Sequence, residues 1–484
     1  MHGSMVPRRP ALRWQRRVTP SILLLAGAAL LTGCAATTVR RNLDDTAAFA
    51  AREVGVEARL NASAEARAAA DRRVAELLAA PLSLDGAVEI ALRYSPRFQQ
   101  MLSASAAASA VATQAARLPN PLFEYGRLSA GGVVEIDRAV TVSLLDFVLL
   151  PQRRRLANQQ QARLRLQSAA DVVAMTADVR RAWIEAVAAE ESVRQAERLL
   201  ASAAAAAELG KRMAAAGNLS RLEWNRQQVF LADAAIELAR ARETSVARRE
   251  ALLRLLGLSG DLASALHLPE RLPDLPDAPM PESRVAERTF ADRLDVRLAR
   301  VELDYTARSL GLTRVTSMVN GLDVAARNQG TTGEPTREGY GVEFRLPLFD
   351  FGDARRATAE ATYLAALNHT ARVGADAYSH VRQGYVAYRT AYDIARRYRD
   401  EVLPLRRMIA DENLRRYNGM LISVFELLAD AREQASSERE AIGALSDYWK
   451  ADAALRAVLL GAPLDPPAAF PPVAPPGAAI AAPH

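Results

Sequence analysis

Few residues of this 484-residue chain have the type and spacing that covalent or metal chemistry needs. The five histidines are His2, His267, His369, His380 and His484. His369 and His380 stand eleven residues apart, and neither has a His or Glu at i+3 or i+4, so they do not form a metal-ligand pair on one helix face. No GxSxG, Walker or GxGxxG element is present, and Cys34 is the only cysteine. The remaining polar pairs of note are Ser220-x-x-Glu223 and Ser423-x-x-Glu426. That spacing lets a serine cap a helix while the glutamate reaches back to the serine amide. The inventory predicts neither an enzyme nor a metal cofactor.

Cys34 has a different chemistry available. Arg8, Arg9, Arg13, Arg16 and Arg17 form a basic start, followed by an apolar run from Ile22 to Leu31. That run is too short for a spanning helix, which needs roughly 20 apolar residues, so residues 1–33 read as a cleaved export signal. The run closes on Leu31-Thr32-Gly33-Cys34, which resembles the bacterial lipobox, where the thiol takes a diacylglycerol and the Cys becomes the new N-terminus. Ala35 follows, with no Asp there to resemble an inner-membrane retention signal, and the implied address is the outer membrane. A covalent lipid on Cys34 is then the only prosthetic group expected.

The formal charge of +6 suggests a nucleic-acid partner only until the signal is removed, because it carries five basic residues and no acidic one. The rest is nearly neutral, and no nucleic acid is expected. Half the residues are hydrophobic but only 6% aromatic. Alanine supplies much of the difference, and an Ala-rich chain builds long, closely spaced helices rather than one bulky core.

The elements occur twice. Gly217-Asn218-Leu219-Ser220-Arg221-Leu222-Glu223 opens a helix ending Leu255-Leu256-Gly257, and Gly419 to Glu426 opens one ending Leu459-Leu460-Gly461, at an offset of about 203. Upstream, Arg153-Arg154 and Arg355-Arg356 open long helices, and Tyr94 to Arg97 matches Arg293 to Val296. The predicted layout is a signal over 1–33, a lipidated segment over 34–81 with a peripheral helix, a first repeat over 82–268, a Pro-rich linker over 269–281, a second repeat over 282–461 and a Pro/Ala-rich tail over 462–484. Each repeat reads helix, strand pair, very long helix, turn, helix. The run Val172, Met175, Val179, Ala182, Ala186, Ala189, Val193, Ala196, Leu200 and Ala203 keeps a 3,4 spacing. It predicts a supercoiled helix about 85 Å long from Arg153 to Leu209. Val381, Tyr385, Tyr388, Tyr392 and Ala395 supply the matching stripe.

Strands are read from alternation. Tyr340, Val342, Phe344, Leu346 and Leu348 alternate with Gly341, Glu343, Arg345 and Pro347. Leu322, Val324 and Ala326 precede them across a loop from Gln329 to Gly339, while Val140, Val142 and Leu144 pair with Leu122 to Leu128 in the first repeat. A soluble sheet on helices has the same period. In a bilayer, four strands cannot satisfy their own edges, and a barrel needs at least eight, so membrane strands require two or three copies of the chain.

Ser95-Pro96, Leu118-Pro119-Asn120-Pro121, Leu346-Pro347-Leu348-Phe349-Asp350-Phe351-Gly352 and the two Gly/Leu/Ser turns, taken with the duplication, resemble the TolC-like outer-membrane efflux ducts over residues 82–461. The resemblance implies a mainly α fold with a membrane β-barrel portion, an oligomeric α/β-barrel tunnel. It implies a homotrimer anchored in outer-membrane lipid and extending into the periplasm. There it would pass substrates delivered by an inner-membrane pump and a periplasmic adaptor. It also implies an adaptor contact at Gly217, Leu219, Ser220, Gly419, Leu421 and Ser423, and an acidic gate drawn from Asp430, Glu426 and Glu223. Asp430 is the sharper gate candidate, since capping engages both glutamates. The other reading is a periplasmic structural or adaptor lipoprotein with a soluble β-domain. Nothing in the sequence selects a substrate.

The mature N-terminus is expected to be an acylated Cys34. Intact-mass and N-terminal peptide mass spectrometry check this, and an unmodified Cys34 or cleavage elsewhere removes the lipoprotein reading.

Overall fold

The computed structural model describes residues 33–286, 290–316, 321–346 and 349–463. The proposed signal up to Thr32 and the tail from Leu464 lie outside them. Four helices lead: α1 (Gly33–Glu53), α2 (Ala64–Leu78), α3 (Leu84–Arg93) and α4 (Pro96–Ala115). They are followed by β1 (Leu122–Ala130), β2 (Val133–Ser143), α5 (Leu144–Ala215) and α6 (Arg221–Leu256). The second half runs α7 (Leu294–Thr316), β3 (Leu322–Thr331), β4 (Arg337–Phe344), α8 (Asp353–Arg397), a π-helical turn (Tyr398–Val402), α9 (Leu403–Asn418) and α10 (Val424–Leu460). The repeated order of helix, strand pair, long helix, turn and helix is the one expected.

The boundaries differ from expectation in instructive places. α5 has 72 residues, about 108 Å rather than 85 Å, because it begins at Leu144 instead of Arg153 and ends at Ala215 instead of Leu209. Leu144 is therefore not the last strand residue but the first helical one. An apolar run such as Leu144–Leu150 fits either period, and Asp146 at the positive helix start, paired with Arg153 at 2.5 Å, favours the helix. β4 stops at Phe344, so Leu346 lies beyond the strand, in line with Pro347 having no N–H to give a ladder. The hairpin loop is shorter than the Gln329–Gly339 span, since the strands extend to Thr331 and resume at Arg337. The second long helix carries the π turn immediately before Pro404, whose ring clashes with the carbonyl four residues back and is accommodated by the wider turn.

The N-terminal segment is not peripheral. It forms two helices, separated where Gly55 takes φ +81°, and it buries Asn42, Thr46, Ala50, Val74 and Leu78. Asn42 Nδ2 donates to Ser109 Oγ at 2.8 Å, Ser109 Oγ to Gln161 Oε1 at 2.9 Å, and Gln161 Nε2 to the Ser109 carbonyl at 2.8 Å. At its other end Asn61 Nδ2 donates to the Arg93 carbonyl at 2.7 Å. These two contacts lay α1 antiparallel to α4. The main core surrounds the middle of α5, where Val172, Val179, Trp183, Ile184 and Val187 meet Ile90, Phe98, Leu252 and Leu256. Of the ten heptad residues, eight are buried, while Val193 and Leu200 are half-buried.

The duplication is most exact at two helix ends. Gly257 (φ +75°) caps α6 against the start of α4, where a Cβ would lie 2.1 Å from Pro96 Cδ. Gly461 (φ +105°) caps α10 against the start of α7, where a Cβ would lie 2.7 Å from the Leu294 amide. Ser95 Oγ donates to the Leu255 carbonyl at 2.7 Å and Arg293 Nη1 to the Val458 carbonyl at 2.7 Å, closing the same junction with different side chains. The Pro-rich linker is strapped by α8 and α10: Tyr392 donates to the Asp277 carbonyl at 2.8 Å and Trp449 Nε1 to the Pro273 carbonyl at 2.9 Å, while Tyr388 accepts from the Met280 amide at 2.8 Å.

Gly257→Ala and Gly461→Ala are each expected to cost at least about 2 kcal/mol, since left-handed strain adds to the close approach. Thermal unfolding of the purified protein checks this, with Gly311→Ala, in open space within α7, as the control expected to stabilise by about 0.5–1 kcal/mol.

Candidate channel-forming sheet and helical tip

The four strands form one antiparallel sheet in the order β1-β2-β3-β4, leaving β1 and β4 as edges. The register sorts side chains between two faces. Phe123 pairs with Val140, Val140 with Ala326 and Ala326 with Tyr340, while Val142 pairs with Val324 and Val324 with Val342. With Leu322 opposite Phe344, these rows make one apolar face, and Tyr340 on it is 84% exposed. Toward the hairpin loops the same face turns polar in the row of Arg138, Asn328 and Glu338. The opposite face carries Glu124, Asp137, Asp323, Arg327, Gln329, Arg337 and Glu343, with Leu122, Leu128 and Val133 as its larger apolar exceptions. Glycines at 126, 339 and 341 flatten it, and the Arg327 guanidinium lies over Gly341. At the helix ends of the strands Phe147, Phe351 and Phe349 are exposed, the last at 99%.

The other end of the long helices is a pair of turns. Both predicted capping boxes form: Ser220 Oγ accepts from the Glu223 amide while Glu223 Oε2 accepts from the Ser220 amide at 3.0 Å, and Ser423 and Glu426 repeat this. The Ser220 hydroxyl and amide hold the Glu223 carboxyl below its ordinary pKa. The two turns are not copies. Gly217 supplies the left-handed residue of the first (φ +76°), but in the second that residue is Met420 (φ +58°), while Gly419 has φ near −78°. One extra residue in the second turn leaves Leu421 77% and Met420 93% exposed, whereas Leu219 is half-buried beside Gly210.

Asp430 is half-buried and makes no hydrogen bond or ion pair to a described residue, whereas its counterpart Gln227 is 3% exposed. Sequence reading missed the neighbours that fix this stretch of α10. The Arg432 guanidinium stacks 3.8 Å from the Phe230 ring, Gln195 Nε2 donates to the Ala435 carbonyl at 2.9 Å, and Arg439 pairs with Glu237 at 2.5 Å. Of these, the charge pair at the repeat offset of about 200 residues was visible in the sequence; the other two depend on three-dimensional packing. Cys34 lies in the first turn of α1, at the end facing the strands. Among the described residues no group of three or more His, Cys, Asp or Glu could hold a metal, and no helix is long and apolar enough to cross a membrane.

No family model and no curated protein matches the chain. Solved structures do. A membrane protein from Pseudomonas aeruginosa superposes with a TM-score of 0.66 at 21% identity, over 78% of this chain and 93% of that one. The outer membrane protein VceC from Vibrio cholerae gives 0.64 at 17% identity, over 78% and 96%. The CmeC outer membrane channel of Campylobacter jejuni gives 0.67 at 14% identity, over 78% and 85%. The chain therefore has the fold of the TolC-like outer-membrane channels, mainly helical, with a sheet that is not closed within one copy.

Proposed function

We propose that this chain is the outer-membrane subunit of a tripartite efflux system. Three copies would close a twelve-strand barrel over a helical tunnel, giving a passive exit duct for substrates handed over by an inner-membrane pump and adaptor. The observation that carries this reading is the sheet: two open edges, one apolar face bare of helices and one polar face, mounted on a helix about 108 Å long. A soluble β-domain would cover its apolar face, which counts against the periplasmic structural or adaptor alternative. The apolar face would meet lipid and the polar one the lumen, with the exposed Phe cluster at the inner interface. The antiparallel α1 supports the lipid anchor. Cys34 is eight residues above Asn42 and so about 12 Å nearer the strands.

Two lower parts of the duct follow from the same orientation. The turns at Gly217, Leu219, Ser220, Gly419, Leu421 and Ser423 form the adaptor contact, with exposed Met420 and Leu421 as its apolar part. Asp430 is the gate ring, one carboxylate per copy, since Glu223 and Glu426 are held in capping boxes and Gln227 is turned into packing.

Val342→Arg on the apolar face is expected to cost about 2–4 kcal/mol at mid-bilayer and abolish membrane-inserted oligomer, while Glu343→Arg on the other face leaves assembly intact. Heat-modifiable migration in outer-membrane fractions reads this, and equal tolerance of both sinks the barrel. In planar bilayers Asp430→Asn is expected to reduce cation selectivity, with Glu426→Gln leaving it unchanged; the opposite result moves the gate to Glu426. At the tip, Leu421→Glu should weaken cross-linking to the adaptor without changing the oligomer, and unchanged cross-linking removes Leu421 from the contact.

A further inference from the structure

A cavity of about 380 Å³ lies where the end of α1, the middle of α5, the linker and the end of α10 converge. Its walls are mostly small or apolar, among them Val173, Ala177, Met280, Ala453 and Ala457. Into this lining come two guanidiniums and a hydroxyl. Arg180 makes no hydrogen bond or ion pair to a described residue, and its Nε is buried without a partner. Thr176, one helical turn earlier on the same face, is 6% exposed and its Oγ1 is likewise unpartnered. Other helical threonines bond the carbonyl four residues back, as buried Thr46 does at 2.9 Å and half-buried Thr113 at 2.8 Å, whereas Thr176 Oγ1 has no partner among the described residues. Arg456 gives its Nε to Asp452 at 2.7 Å and keeps its other donors free of any further bond to a described residue. Glu53, the acid in the lining, is tied to Arg52 at 3.0 Å.

Buried donors are nearly always satisfied, so unpartnered ones around a cavity describe the ligand they lack. Here the buried unpartnered donors are the Arg180 Nε–H and the Thr176 O–H, Arg456 adds an exposed second cation at the mouth, and the complement is a compact oxyanion. Burial, and after it the adjacent Arg456, push the Arg180 pKa down against a weaker opposing pull from Asp85 and Asp452, so the charge sits there at a cost that an anion relieves.

We propose that Arg180, Thr176 and Arg456 form a binding site for a soluble phosphate-like oxyanion, which ties the N-terminal helix and the linker to the tunnel. Thr176 lies about 48 Å along α5 from its start beside the strands, too deep for a lipid headgroup to reach. The occupant is therefore a free anion of the surrounding solution.

Full-length protein purified in detergent is titrated with inorganic phosphate against chloride at matched ionic strength, followed by calorimetry and thermal unfolding. A saturable rise in Tm is expected, with affinity weakened about tenfold or more in Arg180→Gln and in the near-isosteric Thr176→Val. Without phosphate, Arg180→Gln should unfold no earlier than the parent, because it removes a desolvated, unpaired charge. A linear, non-saturating phosphate effect, or one identical in parent and both variants, is general salt stabilisation and overturns the proposal. Loss of the oligomer in Arg180→Gln together with no phosphate response in the parent means that a protein carboxylate fills the cavity, and overturns it equally.

Discussion

An unpaired strand edge is the constraint from which the rest of this architecture follows. Each copy supplies four antiparallel strands with β1 and β4 open, and their backbone donors and acceptors need partners wherever water is excluded. Among the described residues nothing provides them. The apolar face compounds the demand, since Phe123, Tyr340 and Val342 have no helix over them. A sheet open at both edges and bare on one face is stable as part of a closed surface in an apolar medium. Under that reading oligomerisation and membrane insertion are one event.

The duplication supplies the second constraint, which is geometric. Two strand pairs must arrive side by side although about 200 residues separate them. The junctions at Gly257 and Gly461 put the same helix end against the same helix start in both halves. Between them the tyrosine-rich strap fixes the linker to α8 and α10. The halves nevertheless diverge where their tasks differ. The first is braced by α1, α2 and α3 around Trp183, whose Nε1 donates to the Leu82 carbonyl at 2.9 Å; the second relies on Tyr388, Tyr392 and Tyr448.

Much of this was legible in the sequence because it is local. A 3,4 stripe maintained from Val172 to Ala203, alternation from Tyr340 to Phe344, and Ser-x-x-Glu at both turns each express a periodicity that backbone geometry imposes. The misreadings occurred where two local rules conflict. Leu144 fits the end of a strand as well as the start of a helix, and only the tertiary path selects. Gly217 and Gly419 stand alike in sequence, but one inserted residue puts the left-handed conformation of the second turn on Met420. Arg180 shows the opposite limit. As one of many arginines it carries no signal, and its isolation depends on α10, which follows some 240 residues later in the chain.

Burial is unevenly distributed along the helices. The core clusters sit around the middle of α5 and the upper part of α10, whereas the cluster nearest the tip is built on Ala203, Phe230 and Ala234 alone. α9 buries no residue at all, although Leu405, Met408 and Ile409 form an apolar stripe at helical spacing. A helix with an unburied apolar face finds its packing outside its own chain, in a neighbouring copy or a docked protein. Local stability follows contact density, so the tip is the region whose position is cheapest to change. The strained Met420 turn lies at the same end, so backbone strain and sparse packing coincide there.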